Sequence, residues 1–317
     1  MWDGLTASLR DDEAWNRISN SLILDFDDTI RYGELLFSKA DYDKQIRFTL
    51  NHKRKEVHLS FSPHKLYNAL HGVANYSGRA MNHDTFTPSK LKWVFRWLEE
   101  TFSIMAEKCI LHSLEFGCNL TDLDIQTEFV LSKLIVYKNK RFNEMRELVG
   151  LGNGFDVEFG QFRLKIYDKA LQNRLQYSIL RIELKAIKGQ AIKNIFGKTA
   201  YLSDLVNTHY WLLCRDKLLQ TLHFCLFDDV FDIELLDSQQ IELLRWRNSK
   251  TWENPKGDID KPRLTGKQRQ RAKEKFDAFI LQNGRYKIKQ AIHQNIEKEI
   301  TKMLSPDTAD VIKLPLN

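Results

Sequence analysis

Cysteine is scarce in this sequence, and its positions exclude two kinds of protein. The four thiols among 317 residues lie in apolar runs without CxxC spacing, at Cys109, Cys118, Cys214 and Cys225. Proteins that depend on disulfides are much denser in cysteine, and zinc sites place their cysteines in close pairs. The sequence therefore excludes a disulfide framework and a cysteine zinc site, and it predicts reduced, buried thiols in a cytoplasmic protein.

Long apolar runs are also absent. No stretch approaches the roughly 20 apolar residues that an α-helix needs to cross a bilayer. The first residues, MWDGLTASLRDDEAW, are acidic and lack the apolar core of a signal peptide. We therefore expect no contact with a membrane.

Charge is present in both signs but is unevenly placed. The whole chain has a net charge of +6 and a pI of about 8.9. Residues 1–28 carry seven acids and two bases, whereas residues 238–302 carry 16 Lys/Arg and eight Asp/Glu, a local balance of +8. The chain is basic because of its C-terminal part, which allows an acidic partner without demanding one.

The hydrophobic period changes near residue 200. Before it, short segments alternate between apolar and polar residues, which is typical of half-buried strands. These segments are SLILDFDD, KQIRFTL, EVHLSFSP, CILHSLEFGCNL, FRLKIYDK and SILRIELKAI. One predicted helix interrupts them, TPSKLKWVFRWLEETF, with Thr87 as its N-cap and Pro88 at its first position.

After residue 200 the apolar spacing is that of helices. The predicted helices are LSDLVNTHYWLLCRDKLLQTLHFCLF, SQQIELLRWR, TGKQRQRAKEKFDAFILQN and KIKQAIHQNIEKEITKML, and NPKGDIDKPRLTG predicts a linker. We therefore expect an α+β protein in which a central antiparallel sheet with packed helices precedes a mostly helical region. Residues 1–200 would form the first domain, and residues 201–317 a basic helical domain.

The predicted strands place several reactive side-chain types on one face of the sheet. They are Arg163, Lys165, Tyr167 and Lys169 in one segment, Glu115 in a second, and Arg181 and Glu183 in a third. Such a face can hold Mg²⁺ or Mn²⁺, because hard cations prefer oxygen ligands. It can also activate a tyrosine, whose phenolate is favoured by neighbouring cations.

The same face has a simpler interpretation. Antiparallel strands with one polar face normally expose Lys, Arg, Glu and Tyr to water. Acids such as Glu115 and Glu183 commonly pair with Lys or Arg across the strands. In this interpretation Tyr167 is a surface residue, and His64, which follows Pro63, is a loop histidine.

The order of five motifs resembles rolling-circle replication initiators. These are the nicking endonucleases of filamentous phages and small plasmids, which are related to the His-hydrophobe-His (HUH) nickases. The motifs are SLILDFDDT, VHLSFSPHKLYNALHGVANYSGRAMNHDTFTPSKL, SLEFGCNL, LKIYDK and LRIELK. Together they span about residues 20–205, and their common order carries the resemblance.

The resemblance implies roles for individual positions. The nucleophile of the family falls on Tyr167, with Lys169 as its companion cation. Its central acid falls on Glu115, a metal ligand. Its later acid falls on Glu183, which is a second ligand or an anchor for Arg181.

The histidines fit the family less well. His83, in MNHDTF, matches a polar position that would complete the metal site, and His64 is a competing candidate. The sequence has no His-hydrophobe-His pair, the usual metal signature of the wider superfamily. Tyr177 follows Tyr167 by ten residues, a spacing that does not suit a paired second nucleophile.

The resemblance also implies a reaction and its partners. Tyr167 would attack a phosphate of single-stranded or hairpin origin DNA, giving a 5′-phosphotyrosyl bond and a free 3′-hydroxyl that primes a host polymerase. The basic tail would add contacts to the DNA backbone. The expected DNA contacts are Arg163, Lys165 and Arg181 in the sheet, and Arg245, Arg247 and Trp246 in the tail. Trp246 is alternatively a core residue.

Two other functions stay open on the sequence. One is a non-catalytic DNA-binding initiator or repressor, in which Tyr167 is structural. The other is a relaxase or transposase that uses the same tyrosine chemistry on a different substrate.

Overall fold

A computed structural model describes residues 1–32, 35–40, 46–73, 81–145, 153–232, 234, 236–253 and 265–305. For residues 25–32 and 35–40 it describes the backbone alone, so the acidic side chains of SLILDFDDT lie outside the described part. Most of the predicted linker, residues 254–264, also lies outside it.

The described residues form an α+β fold, as the sequence predicts. The strands are β1 (Trp2–Arg10), β2 (Asp25–Tyr32), β3 (Leu35–Ala40), β4 (Ile46–Asn51), β5 (Glu56–Phe61), β6 (Ile110–Leu120), β7 (Leu134–Tyr137), β8 (Lys140–Arg141), β9 (Asn143–Glu144), β10 (Gly154–Phe159), β11 (Phe162–Asp168), β12 (Leu180–Ala186) and β13 (Cys225–Phe227). The helices are α1 (Asp12–Ser19), α2 (Pro63–Leu70), α3 (Pro88–Phe102), α4 (Thr127–Ser132), α5 (Lys169–Asn173), α6 (Gly189–Phe196), α7 (Thr208–His223), α8 (Asp237–Arg247), α9 (Gly266–Asn283) and α10 (Ile288–Leu304).

Ten strands form one antiparallel sheet in the spatial order β2-β3-β4-β5-β1-β6-β12-β11-β10-β9. All the segments predicted to share a sheet lie in it, as β2, β5, β6, β11 and β12. The predicted helix is α3, where the Thr87 side chain accepts a hydrogen bond from the Lys90 N–H at 3.4 Å.

The apolar face of this sheet is covered by helices from both parts of the chain. Its core contains Leu91 of α3, Trp211 of α7, and Ile292 and Ile296 of α10. A smaller core joins the sheet β13-β7-β8 to α8 and α9. The region after residue 200 is mostly helical, as predicted, and α7 and α10 belong to the same core as the large sheet.

The strand β1 was not predicted, although it lies in the middle of the sheet between β5 and β6. Its pairing with β6 shifts register between Trp2 and Gly4 and again between Thr6 and Ala7. The first shift leaves Asp3 unpaired and breaks the alternation of apolar and polar residues at the start of β1. The sequence pattern of the acidic N-terminal segment therefore does not predict the strand that it forms.

The expectation of buried thiols agrees with the structure. All four cysteines are free and buried. None of the helices that the structure describes is both long enough and apolar enough to cross a membrane.

Candidate metal centre and buried tyrosine

Three carboxylates from neighbouring strands meet on the polar face of the sheet. Asp3 lies on β1, Glu115 on β6 and Glu183 on β12, and one oxygen of each lies within 4.8 Å of the others. In the described part of the chain this is the group that can hold a metal ion. Carboxylate oxygens are the ligands that hard divalent cations prefer.

One of the two glycines opposite the acids is required by a close approach. Gly4 pairs with Glu115, and Gly117 pairs with Glu183. A Cβ atom at Gly117 would lie 2.1 Å from the carbonyl oxygen of Ile182 and 3.0 Å from Cγ of Glu183. The glycine in SLEFGCNL is therefore required by the close approach of β12 and the Glu183 side chain.

Arg181 holds two of the carboxylates from below the surface. It is 0% exposed, its Nη2 lies 2.8 Å from Oδ2 of Asp3, and its Nε donates to Oε1 of Glu183. Its Nη1 donates to the side-chain oxygen of Asn119 at 2.6 Å. The prediction that Arg181 contacts DNA is wrong, because the side chain is completely buried, and its contacts fit the alternative in which Glu183 anchors it.

The cations of β11 are also engaged by acids. Nζ of Lys165 lies 3.0 Å from Oε1 of Glu115 and 3.7 Å from Oε2 of Glu183. Arg163 forms an ion pair with Asp156 on the edge side of the sheet. Lys165 therefore competes with a metal ion for the same carboxylates, and its ammonium group is close enough to neutralise an anion bound there.

Tyr167 lies at the closed end of the polar face. Its side chain is buried, Met145 packs on it, and its hydroxyl donates to Oε1 of Glu183 at 3.1 Å. Burial and the Glu183 carboxylate raise the pKa of Tyr167 well above its usual value, although Arg181 opposes the effect. The expectation that neighbouring cations favour the phenolate is wrong, because burial outweighs them.

Lys169 is not part of the strand. The strand β11 ends at Asp168, whose carboxylate caps the short helix α5. Nζ of Lys169 donates to the side chain of Gln172 at 2.9 Å and lies 5.7 Å from the ring centre of Tyr167. Burial, aided by Arg181, lowers the pKa of Lys169 to about 7.

The charge balance of the three carboxylates favours a bound cation. Burial raises the pKa of Glu183 to about 8, and the neighbouring Glu115 and Asp3 add to this despite the opposing effect of Arg181. Burial and the neighbouring acids therefore disfavour the charged form of Glu183 when no cation is bound. A divalent cation would relieve this repulsion, so the donor set and its charge both fit Mg²⁺ or Mn²⁺.

The two candidate histidines lie elsewhere. His64 is fully buried at the start of α2, where Nε2 lies 2.7 Å from Oδ1 of Asp84 and Nδ1 lies 3.1 Å from Sδ of Met1. Both ring nitrogens are engaged and His64 is not in the carboxylate group, so its role as a metal ligand stays a prediction. His83 has a buried Nδ1 without a hydrogen-bond partner, and it is not in the carboxylate group.

The tail residues have different surroundings. Trp246 is 6% exposed and packs against Phe276 at 5.4 Å between ring centres, so it belongs to the smaller core and is not available to stack on bases. Arg247 pairs with Asp228 at 2.9 Å. Arg245 is exposed, and its role in DNA binding stays a prediction.

Asp3 is the site residue that the sequence reasoning missed. The alternation of Leu5, Ala7 and Leu9 with Thr6 and Ser8 is the signal that indicates β1. The register shift next to Asp3 interrupts this alternation at Asp3 itself, so the sequence pattern does not show that its side chain lies on the polar face.

Comparison with known proteins gives a distant structural likeness. No protein-family model matches the chain, and no curated protein matches it. One similar solved structure is that of a rolling-circle replication initiator protein from Geobacillus stearothermophilus. The match covers 81% of this chain and 92% of that chain, with a TM-score of 0.41 and 9% sequence identity. This likeness is too distant to assign an activity to the chain.

Proposed function

We propose that this protein is a metal-dependent replication initiator that nicks DNA with Tyr167 as its nucleophile. The observation that carries the proposal is the 3.1 Å hydrogen bond from the Tyr167 hydroxyl to Glu183, a member of the three-carboxylate group. A nucleophilic oxygen, an acceptor for its proton and oxygen ligands for a cation thus lie together. They lie on strands that carry the family-like motifs LKIYDK, LRIELK and SLEFGCNL.

Each residue of the site has a separate role in the proposed reaction. Asp3, Glu115 and Glu183 would hold Mg²⁺ or Mn²⁺, which when bound polarises the phosphodiester as a Lewis acid. Oε1 of Glu183 accepts the Tyr167 proton, and Arg181 keeps that carboxylate in place. Lys165 contributes positive charge next to the phosphate.

The reaction is a transesterification. The Tyr167 oxygen forms a bond to phosphorus, and the bond from phosphorus to the 3′ oxygen breaks. The departing 3′ oxygen takes up the proton that Glu183 accepted and becomes a 3′-hydroxyl that can prime replication, while the 5′ phosphate stays on the tyrosine. The proposal requires Met145 to move, because Tyr167 is only 4% exposed beneath it.

A second candidate is a non-catalytic DNA-binding initiator or repressor. The complete burial of Arg181 and the burial of Tyr167 favour it, because a satisfied polar network inside a sheet can be purely structural. A covalent-adduct assay separates the two functions.

The assay incubates the protein with Mn²⁺ and a pool of labelled single-stranded oligonucleotides, and denaturing gels detect a covalent adduct. We expect an adduct that EDTA prevents and that Tyr167→Phe removes, because Phe keeps the ring but lacks the attacking oxygen. The loss should exceed the roughly 10²–10⁴-fold cost of removing an acid–base helper. Lys169→Ala should be milder, because it leaves the hydroxyl in place.

Tyr177→Phe is the matched control, since Tyr177 is 52% exposed and follows Tyr167 by ten residues. Its adduct should be unchanged. An adduct that mass spectrometry locates on another tyrosine contradicts the role of Tyr167. The absence of any adduct, with DNA binding retained, favours the non-catalytic function.

A further inference from the structure

The polar face of the large sheet is closed at the carboxylates and open at the other end. Glu183 is 1% exposed and Glu115 is 8% exposed. The side chains of Lys185 and His58 are 41% and 43% exposed, and His112 is exposed. In the described part of the chain, these exposed side chains lie on the same face as the carboxylate group and at the end away from Glu183.

Two histidines stand at this open end. His58 lies on β5 and His112 on β6, on either side of β1, with ring centres 6.2 Å apart. Nε2 of His112 lies 2.7 Å from the hydroxyl of Ser8 on β1. The pair therefore spans three adjacent strands on the face that leads to the carboxylates.

A β-bulge on β6 directs the side chain of His112 onto the polar face. Thr6 pairs with Ser113, and the next residue, Ala7, pairs with Leu111, so His112 has no partner on β1. The extra residue brings both His112 and Ser113 onto the polar face, where Ser113 bonds to Thr6 at 2.8 Å. Bulges of this kind re-aim side chains next to functional sites.

The charged side chains near the pair include one acid and two arginines. Oε2 of Glu56 lies 3.5 Å from Nε2 of His58, and Arg10 on β1 lies 3.7 Å from Oε1 of the same carboxylate. Burial and the neighbouring His58 lower the pKa of His112, against the smaller effect of Glu56. Arg47 is exposed on β4, on the same face. A bound phosphate would favour the protonated rings.

We propose that His58 and His112 form a phosphate-binding subsite for single-stranded DNA. The inference rests on the proposed function and names where the strand lies beside the nick. His112 precedes Glu115 by three residues on β6, which is roughly 10 Å at about 3.3 Å per residue. The subsite therefore holds a phosphodiester of the DNA that is close, along the DNA strand, to the phosphodiester at the carboxylates. The protonated imidazoles donate charge-assisted hydrogen bonds to its oxygens.

The test measures binding of a fluorescein-labelled oligo-deoxythymidine strand by anisotropy in EDTA, at pH 6 and pH 8. Wild-type protein should bind more tightly at pH 6, because a bound phosphate favours protonated imidazoles and protons are more available at the lower pH. The double variant His58→Ala, His112→Ala should lose roughly tenfold in affinity at pH 6 and most of the pH dependence. His209→Ala is the matched control, since His209 is exposed on α7, and it should bind like wild type.

A second measurement reads the rings directly. The pKa values of His58 and His112, followed by NMR, should rise when the oligonucleotide is added. Equal binding by wild type and the double variant at both pH values, or pKa values that do not move, overturns the subsite. Failure of the proposed function looks different, because it removes the Tyr167 adduct while histidine-dependent binding remains.

Discussion

At the scale of single residues, the Tyr167 hydroxyl is held neutral by the same environment that positions it. Alternation in FRLKIYDK and LRIELK predicts that Tyr167 and Glu183 share a face, and the 3.1 Å contact between them agrees. The direction of the pKa shift was not predictable, because a period-2 pattern does not show that the polar face is buried. Burial also explains why Arg181 pairs with Asp3 and Glu183 and does not contact DNA.

The metal site gives a prediction at this scale. Asp3→Asn keeps the shape of the side chain but removes one of three carboxylates, so Mn²⁺ affinity should fall by more than the roughly 10–100-fold that loss of a supporting residue costs. Isothermal titration with Mn²⁺ measures it, and Glu158→Gln, an exposed position on β10, is the control. Unchanged affinity would direct attention to the acids of SLILDFDDT, which lie outside the described side chains.

At the scale of elements, strands with regular alternation were predictable and the irregular one was not. β6, β11 and β12 each show an apolar face and a polar face, and their pairing follows from that pattern. The pairing of β1 with β6 has two register shifts, one that leaves Asp3 of β1 unpaired and one that leaves His112 of β6 unpaired. These two positions, one in the carboxylate group and one in the histidine pair, are lost to the periodicity, whereas Glu115, Tyr167 and Glu183 follow it.

The pairing of β6 with β12 gives a prediction at the scale of elements. Gly117→Ala places a Cβ 2.1 Å from the backbone oxygen of Ile182, and backbone cannot rotate away as a side chain does. We expect the free energy of unfolding to fall by about 1–3 kcal/mol, the usual cost of overpacking, in urea titrations. Gly266→Ala is the control, because nothing lies within 4 Å of a Cβ there. Equal stability of the two variants would show that β12 does not approach β6 so closely.

At the scale of the whole molecule, the change of hydrophobic period near residue 200 predicts where strands give way to helices. It does not predict which helices belong to which core, because an apolar stripe is the same whatever it packs against. Trp211 of α7 and Ile296 of α10 lie in the core of the large sheet, whereas Phe276 of α9 lies in the smaller core. The division into residues 1–200 and 201–317 stays a prediction.

The shared core makes that division testable. Ile296 is 0% exposed on α10 and packs in the core of the sheet. Ile296→Ala should therefore lower the free energy of unfolding of the sheet by about 2–5 kcal/mol, although it lies more than a hundred residues beyond β12 in the chain. Urea unfolding followed by hydrogen exchange at β6 and β12 measures this, and Ile241→Ala, 69% exposed on α8, should change it little. If exchange at β6 and β12 is unaffected while α10 unfolds, the helices after residue 200 form an independent domain. If both are destabilised together, the C-terminal helix is part of the scaffold that holds Glu115 and Glu183 in place.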